Sequence, residues 1–271
     1  MEKLLMEVSN LSKKIGENTI LNNISFSIKE DSINAFLFPN NGGKTTLIKA
    51  LSGILYADNG TISVNNVILS TKNYKKYITL ISTILEDIDN QFICDKVSDE
   101  ITLPLRNLGY SNKKIKKLIS EVLSIIDISS ILEKEITSLS RVDKIKVLIA
   151  TSIVHHPKLL LIDDILRFLT IKEKKQVLKV INDIDKKLDI SIIFTTSDLN
   201  DVIGLKNIYV LNEGSILMSG TYKEIIMRDN ELTKIGIEIP LMIDLSRKLQ
   251  FYNLIDGIYY DPDKVVDKLW K

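Results

Sequence analysis

Short apolar runs alternate along this chain with amphipathic stretches of helical period. Ile115, Leu118, Ile119, Val122, Leu123 and Ile126 recur three or four positions apart behind Ser111, a residue suited to an N-cap, so the pattern predicts a helix over 111–127. Further helices are predicted over 141–154 and 171–188. The runs at 33–38, 158–162 and 190–195 are short and mostly apolar, which predicts buried strands. Strands of that kind alternating with helices imply a parallel sheet with helical crossovers, an α/β fold. The run at 33–38 ends in a turn, and 44–55 has a helical pattern, giving strand, loop, helix.

The rest of residues 1–70 reads as strands and turns, including 18–26 and 60–64, the latter closed by Asn65-Asn66. Tyr209-Val210-Leu211 and Ser215-Ile216-Leu217 flank Asn212-Glu213-Gly214 as a hairpin. From about residue 230 the character changes, with Pro240, Gly257 and Pro262 marking short segments of a small C-terminal appendage. Its apolar residues Leu241, Ile243, Leu245 and Leu249 have two readings, cover for the main core or a dimer contact. Trp270 is expected as a packing anchor.

Composition narrows the function classes. The 271 residues suit one large domain, or one domain with an appendage, and 45% hydrophobic with 26% charged residues is ordinary for a globular protein. A net charge of +1 supplies no field for nucleic acid, so no nucleic-acid partner is expected. The single Cys94 cannot form a disulfide within the chain, which fits a reducing compartment. No apolar run reaches the ~18 residues of a membrane span. The longest candidate, 147–162, is interrupted by His155-His156-Pro157-Lys158. The first residues, Met1 to Glu7, lack the apolar core of a signal peptide. Asn112 to Lys117 reads as a solvated helix face.

The candidate chemistry lies in the loop after the run at 33–38. Phe38-Pro39-Asn40-Asn41-Gly42-Gly43-Lys44-Thr45-Thr46 stands between a buried strand and a helix, the context of a phosphate-binding loop G-x-x-x-x-G-K-[ST]. Such a loop turns backbone N–H groups inward around phosphates at the positive end of a helix. Lys44 would reach the β- and γ-phosphates, and the Thr45 hydroxyl would hold Mg²⁺. Phe38 replaces the first glycine and suits a positive φ poorly, whereas Asn41 tolerates the left-handed region. Two readings stand: a phosphate cradle with looser geometry, and a turn that binds nothing.

With three other stretches, this loop resembles the ATP-binding-cassette family. More narrowly, the chain is similar to the A-component ATPases of energy-coupling-factor importers of vitamins and metal ions. The loop continues into Leu47-Ile48-Lys49-Ala50-Leu51-Ser52-Gly53. Leu85 to Phe92, Val97 to Ile101 and Asn107 to Ser111 look like the Q-loop region. Leu139-Ser140 through Asp163-Asp164 matches the spacing from signature motif to Walker B, and Ile239-Pro240-Leu241 through Trp270 looks like the subfamily's C-terminal extension. The resemblance implies a P-loop NTPase-type parallel sheet with an N-terminal antiparallel β subdomain, a helical subdomain at about 92–155, a nucleotide-binding domain over 1–228 and an extension over 229–271. It also implies ATP and Mg²⁺ as ligands, with Pro39 to Thr46 at the phosphates and Thr45 and Asp163 at the metal.

The departures from that family bear on activity. Ile15 stands where an aromatic residue stacks on adenine, and it offers no π-stacking. Glu86 replaces the Q-loop glutamine; it could still ligate Mg²⁺ but adds negative charge beside the γ-phosphate, and the alternative is that it faces the membrane partner. The signature motif Leu-Ser-Gly-Gly-Gln reads Leu139, Ser140, Arg141, Val142, Asp143. Arg141 and Val142 are expected to put side chains into the dimer gap and Asp143 to add charge there, with Arg141 as a phosphate clamp the alternative. Asp164 takes the place of the glutamate that polarises water and is one methylene shorter. The D-loop reads Arg167-Phe168-Leu169-Thr170, and Ser197 falls at the switch histidine. The only histidines, His155 and His156, lie on the wrong side of Walker B and are expected on different helix faces, so they make no metal pair.

Three functions follow from this resemblance. The first is an importer subunit that binds ATP but hydrolyses it poorly. It would pair as a heterodimer with a second ATPase, beneath a transmembrane coupling subunit and a substrate-binding membrane subunit, peripheral on the cytoplasmic face. The second is a working ATPase that tolerates the substitutions. The third is a scaffold or regulator unconnected with transport.

Overall fold

A computed structural model describes residues 3–270, so Met1, Glu2 and the last residue of the extension lie outside the described residues. Two sheets organise the chain. Strands β1 (Leu4–Ile15), β2 (Asn18–Lys29), β4 (Asn59–Val64) and β5 (Val67–Ile68) form an antiparallel sheet in the order β2-β1-β4-β5. Strands β3 (Ile33–Leu37), β6 (Ile81–Ile84), β7 (Leu159–Ile162), β8 (Ser191–Thr196), β9 (Asn207–Asn212) and β10 (Ser215–Gly220) form the second, in the order β10-β9-β3-β8-β7-β6. All of its neighbours pair in parallel except the β9–β10 hairpin.

Strands β3, β7 and β8 are buried on both faces, as their mostly apolar runs require. Ile33, Ala35 and Leu37 of β3 face one core cluster, while Phe36 faces the other. In β7, Leu160 and Ile162 face the first and Leu159 and Leu161 the second. The second cluster holds the antiparallel sheet and helix α1 (Lys44–Leu51). Phe26 of β2, Phe36 of β3 and Tyr209 of β9 join the two sheets, with Phe36 and Tyr209 stacked at 4.7 Å.

The larger cluster packs most of the remaining helices. After the short α2 (Tyr74–Ile78) come α3 (Val97–Asn107), α4 (Asn112–Ile125), α5 (Arg141–Ile153) and α6 (Ile171–Lys187). Ser111 caps α4 by accepting from Lys114 N, as its position predicts. Helix α1 stops at Leu51, short of the predicted 55, because Gly53 takes a left-handed φ of +78°. Strand β6 and helix α3 were not evident in the sequence. Helix α3 carries Pro104 in its interior, which removes one backbone donor and masks the helical signal. His155 and His156 lie beyond the end of α5 rather than on its faces: His155 lies 3.4 Å from the Ser82 hydroxyl, and His156 is 3.5 Å from Glu121.

Helices α7 (Tyr222–Ile226), α8 (Asp229–Lys234), α9 (Leu241–Phe251) and α10 (Pro262–Leu269) complete the chain. Ile243 is fully buried against the main core, and Tyr260 meets Tyr222 edge to face at 5.3 Å. Leu241 and Leu245 are exposed, so the apolar residues of α9 divide between core and surface. Trp270 is 80% exposed and anchors no packing within this chain, contrary to expectation.

Candidate functional site

Parallel strands place all their C-terminal ends on one edge of the sheet, where open α/β sheets bind ligands. Four segments meet there: the loop 38–43 after β3, Glu86 after β6, Asp163-Asp164 after β7 and Ser197 after β8. The ladder continues into them, with Phe38 N bonded to Thr196 O at 3.0 Å and Asp163 N to Ile84 O at 2.8 Å.

The phosphate loop has the backbone its residues allow. Phe38 is wholly buried and outside the left-handed region, so the missing first glycine introduces no strain. Asn41 carries the positive φ, +59°, and Gly43 another of +96°. A Cβ on Gly42 would lie 2.9 Å from Pro39 O, and one on Gly43 would lie 2.9 Å from Ile20 Cγ2. Neither position has room for a side chain. Asn40 and Asn41 are exposed at the rim, and Lys44 opens α1. Thr45 and Thr46 follow, half-buried.

Lys44 is buried and tied inward. Its Nζ lies 2.8 Å from Asp164 Oδ2, and it donates to Ser197 Oγ. Asp164 itself is 3% exposed and adopts a left-handed φ of +45°. The Thr195 hydroxyl organises both acids: it donates to Asp163 Oδ1 at 3.0 Å and accepts from Asp164 N at 3.0 Å. Burial pushes both carboxyls above the usual carboxylate range. The nearby Thr45 and Thr195 hydroxyls oppose the shift at Asp163, and Lys44 opposes it at Asp164.

These residues fit Mg-ATP. Asp163 Oδ2 is buried with no hydrogen-bond partner, an atom left over for a cation, and Thr45 and Asp163 line one cavity of about 410 Å³. No cluster of three His, Cys, Asp or Glu able to hold a metal exists among the described residues. A Mg²⁺ here would depend on nucleotide phosphates for its other ligands, as that ion commonly does. Glu86 lines the same cavity and receives Arg167 Nη1 at 3.1 Å. Ile15, at the end of β1, is 52% exposed.

The segment 139–143 differs from expectation. Val142 is 5% exposed and belongs to the larger core cluster, so its side chain turns away from any dimer gap. Ser140 caps α5 by accepting from Asp143 N, while its hydroxyl donates to Asp143 Oδ2 at 2.8 Å. Leu139 is buried, and Arg141 lies 5.4 Å from the ring centre of Phe168.

Several supporting residues that carry no sequence signal brace the site. Gln91 donates to Leu85 O and Asp87 O and accepts from Leu85 N, closing the loop that presents Glu86. Glu100, 2% exposed, accepts from Ile93 N and Cys94 N. Lys174 bridges Asp198 at 2.6 Å and buried Asp201 at 2.9 Å, and Thr196 donates to Asp201, bracing the strand end that carries Ser197. Their partners are distant in sequence or backbone atoms, and no local pattern marks them.

The family described as ABC transporter matches residues 21–167. The chain is similar to the energy-coupling factor transporter ATP-binding protein EcfA1 of Mesomycoplasma hyopneumoniae strain J, at 30% identity, covering 94% of this chain and 92% of that protein. EcfA1 of Streptococcus thermophilus is 28% identical, covering 98% of each. Among solved structures, cbiO1 of Clostridium perfringens, part of the ABC transporter complex cbiONQ, superposes with a TM-score of 0.79 at 26% identity. That match covers 93% of this chain and all of the other. On its strand order, its phosphate loop and these relatives, the chain belongs to the ABC transporter family and is built like the ATP-binding components of energy-coupling-factor transporters.

Proposed function

We propose that this chain is the ATP-binding subunit of an energy-coupling-factor-like importer, that it binds Mg-ATP, and that it hydrolyses ATP poorly. The observation that carries this reading is the state of Asp164 and Lys44. The loop that cradles phosphates is intact in backbone, yet the acid at the water-activating position is buried and ion-paired to the loop's own lysine. Lys44 and the loop N–H groups would hold the phosphates, and Thr45 and Asp163 the Mg²⁺, which neutralises phosphate charge when bound. Asp164 is shorter than glutamate, and an acid misplaced by about 1 Å loses on the order of 100-fold in rate. Ser197 accepts from Lys44 but offers no imidazole.

The signature segment supports pairing with a different ATPase. Its Ser140 hydroxyl is engaged by Asp143, which leaves it poorly placed to donate across a dimer to a γ-phosphate. A homodimer would contain that defect together with the Asp164 defect in both sites; a heterodimer with an intact ATPase divides them. The transmembrane coupling subunit and the substrate-binding membrane subunit then complete the transporter. This chain would lie peripherally on the cytoplasmic face, its nucleotide-binding domain spanning 1–228 and its extension 229–271. Among the described residues no helix is long and apolar enough to cross a membrane.

The test is equilibrium binding of Mg-ATP to the purified chain, with Lys44→Ala as control. Micromolar binding that the variant abolishes is expected. Absence of binding at millimolar Mg-ATP would remove nucleotide from the function and leave a scaffold.

A further inference from the structure

Glu86 and Arg167 stand 81 positions apart, an acid just after β6 and a base just after β7. They meet in space. Arg167 Nη1 donates to Glu86 Oε1 at 3.1 Å, and the Arg167 guanidinium lies 5.2 Å from the Phe168 ring centre, which restricts where it can go. Glu86 shares the cavity of Thr45 and Asp163. Arg167 lines the neighbouring cavity of about 400 Å³ with Asn40, Asp164 and Ser197. The pair therefore spans the two acids that follow β7.

Charge decides what the pair does. Three carboxylates, Glu86, Asp163 and Asp164, gather where a triphosphate of the same sign would bind. The Glu86 and Arg167 side chains are 35% and 44% exposed, so their bond adds little to the stability of the fold. Its consequence lies in the field at the site, where a lone Glu86 would repel phosphate.

We propose that Glu86 and Arg167 form one neutral unit at the metal edge of the nucleotide site, with Arg167 a positioning residue that holds the Glu86 carboxylate and cancels its charge. This rests on the reading of the site as one for Mg-ATP.

The experiment is a double-mutant cycle on Mg-ATP affinity in the full chain, with Lys44→Ala as control and circular dichroism to verify folding. Arg167→Ala should weaken binding roughly tenfold, the scale of one uncompensated charge near the phosphates. Arg167→Lys, which keeps the charge, should stay within about threefold of wild type. Glu86→Gln, which leaves Arg167 an uncompensated cation near the phosphates, should tighten binding, and adding it to Arg167→Ala should restore the lost affinity. That rescue is the decisive reading, because a direct Arg167–phosphate contact would not be rescued. If adding Glu86→Gln to Arg167→Ala restores nothing, or Arg167→Ala costs nothing, the pair is overturned while the site's reading stands. If wild type and Lys44→Ala are equally unable to bind, both fall.

Discussion

Lys44 and Asp164 are the residues on which the behaviour of the site turns. Each is buried, and each is the other's ion partner. Bound phosphates must compete with Asp164 for the lysine. Replacing Asp164 with Asn leaves Lys44 without a counter-charge, and breaking a buried pair from one side costs about 3 kcal/mol. Asp164→Asn is therefore expected to lower the unfolding midpoint of the free chain and to tighten Mg-ATP binding severalfold. Calorimetric titration checks this, and an affinity equal to wild type would mean that Asp164 does not restrain Lys44. At this scale the sequence was only partly legible. Lys44 and Thr45 stand out because a phosphate-loop pattern lies between a strand and a helix, whereas the role of Asp163 is suggested only by the resemblance to a family. Asn41 could be assigned its left-handed backbone because few other residues tolerate it. Val142, expected in the dimer gap, turns into the core instead, because that depends on which face of α5 meets the helices around it.

Helix ends illustrate the same division one level up. Helix α6 begins with a reciprocal box in which Thr170 N donates to Glu173 Oε2 at 2.8 Å and Glu173 N donates to Thr170 Oγ1. Thr170→Ala should destabilise the fold by about 1 kcal/mol in urea, with the slope of the transition unchanged. In the extension, Asp256 ties α10 to the preceding turn through Lys268 at 2.7 Å and through the Tyr259 hydroxyl. Lys268 first, then Tyr259, hold the Asp256 carboxyl down to about 2. Because the folded value lies below the usual 3.8, the tie contributes fully above that pH and is lost as pH falls through about 2. The difference in thermal midpoint between wild type and Asp256→Asn should therefore shrink between about pH 4 and pH 2. A difference that stayed constant over that range would rule out this linkage. Helices α4, α5 and α6 end within a residue or two of where periodicity placed them. Strand β6 spans only Ile81–Ile84 and α3 contains Pro104, so neither carries enough of its own period to be recognised.

Across the whole molecule, the edge that carries the candidate site exists because β3, β8, β7 and β6 lie side by side in parallel. Their loops, scattered over 38–43, 86, 163–164 and 197, converge for that reason alone. The proposed heterodimer extends the argument beyond one chain. Co-expression with a second, intact ATPase of the same importer should give a one-to-one complex on sizing columns, with turnover far above that of this chain alone. Isolation of this chain as a homodimer with high phosphate release would sink the pairing. What the sequence determined by itself was local. Apolar runs made buried strands, helical spacing made helices, and the residues from Pro39 to Thr46 made a phosphate loop, because each depends on neighbours within a few positions. Tertiary structure decided which strand ends adjoin, that Thr195 would organise Asp163 and Asp164, and that Glu86 would meet Arg167. Those contacts join positions 31 to 81 residues apart. They arise from strand order in the hydrogen-bonded ladder, which no local period encodes.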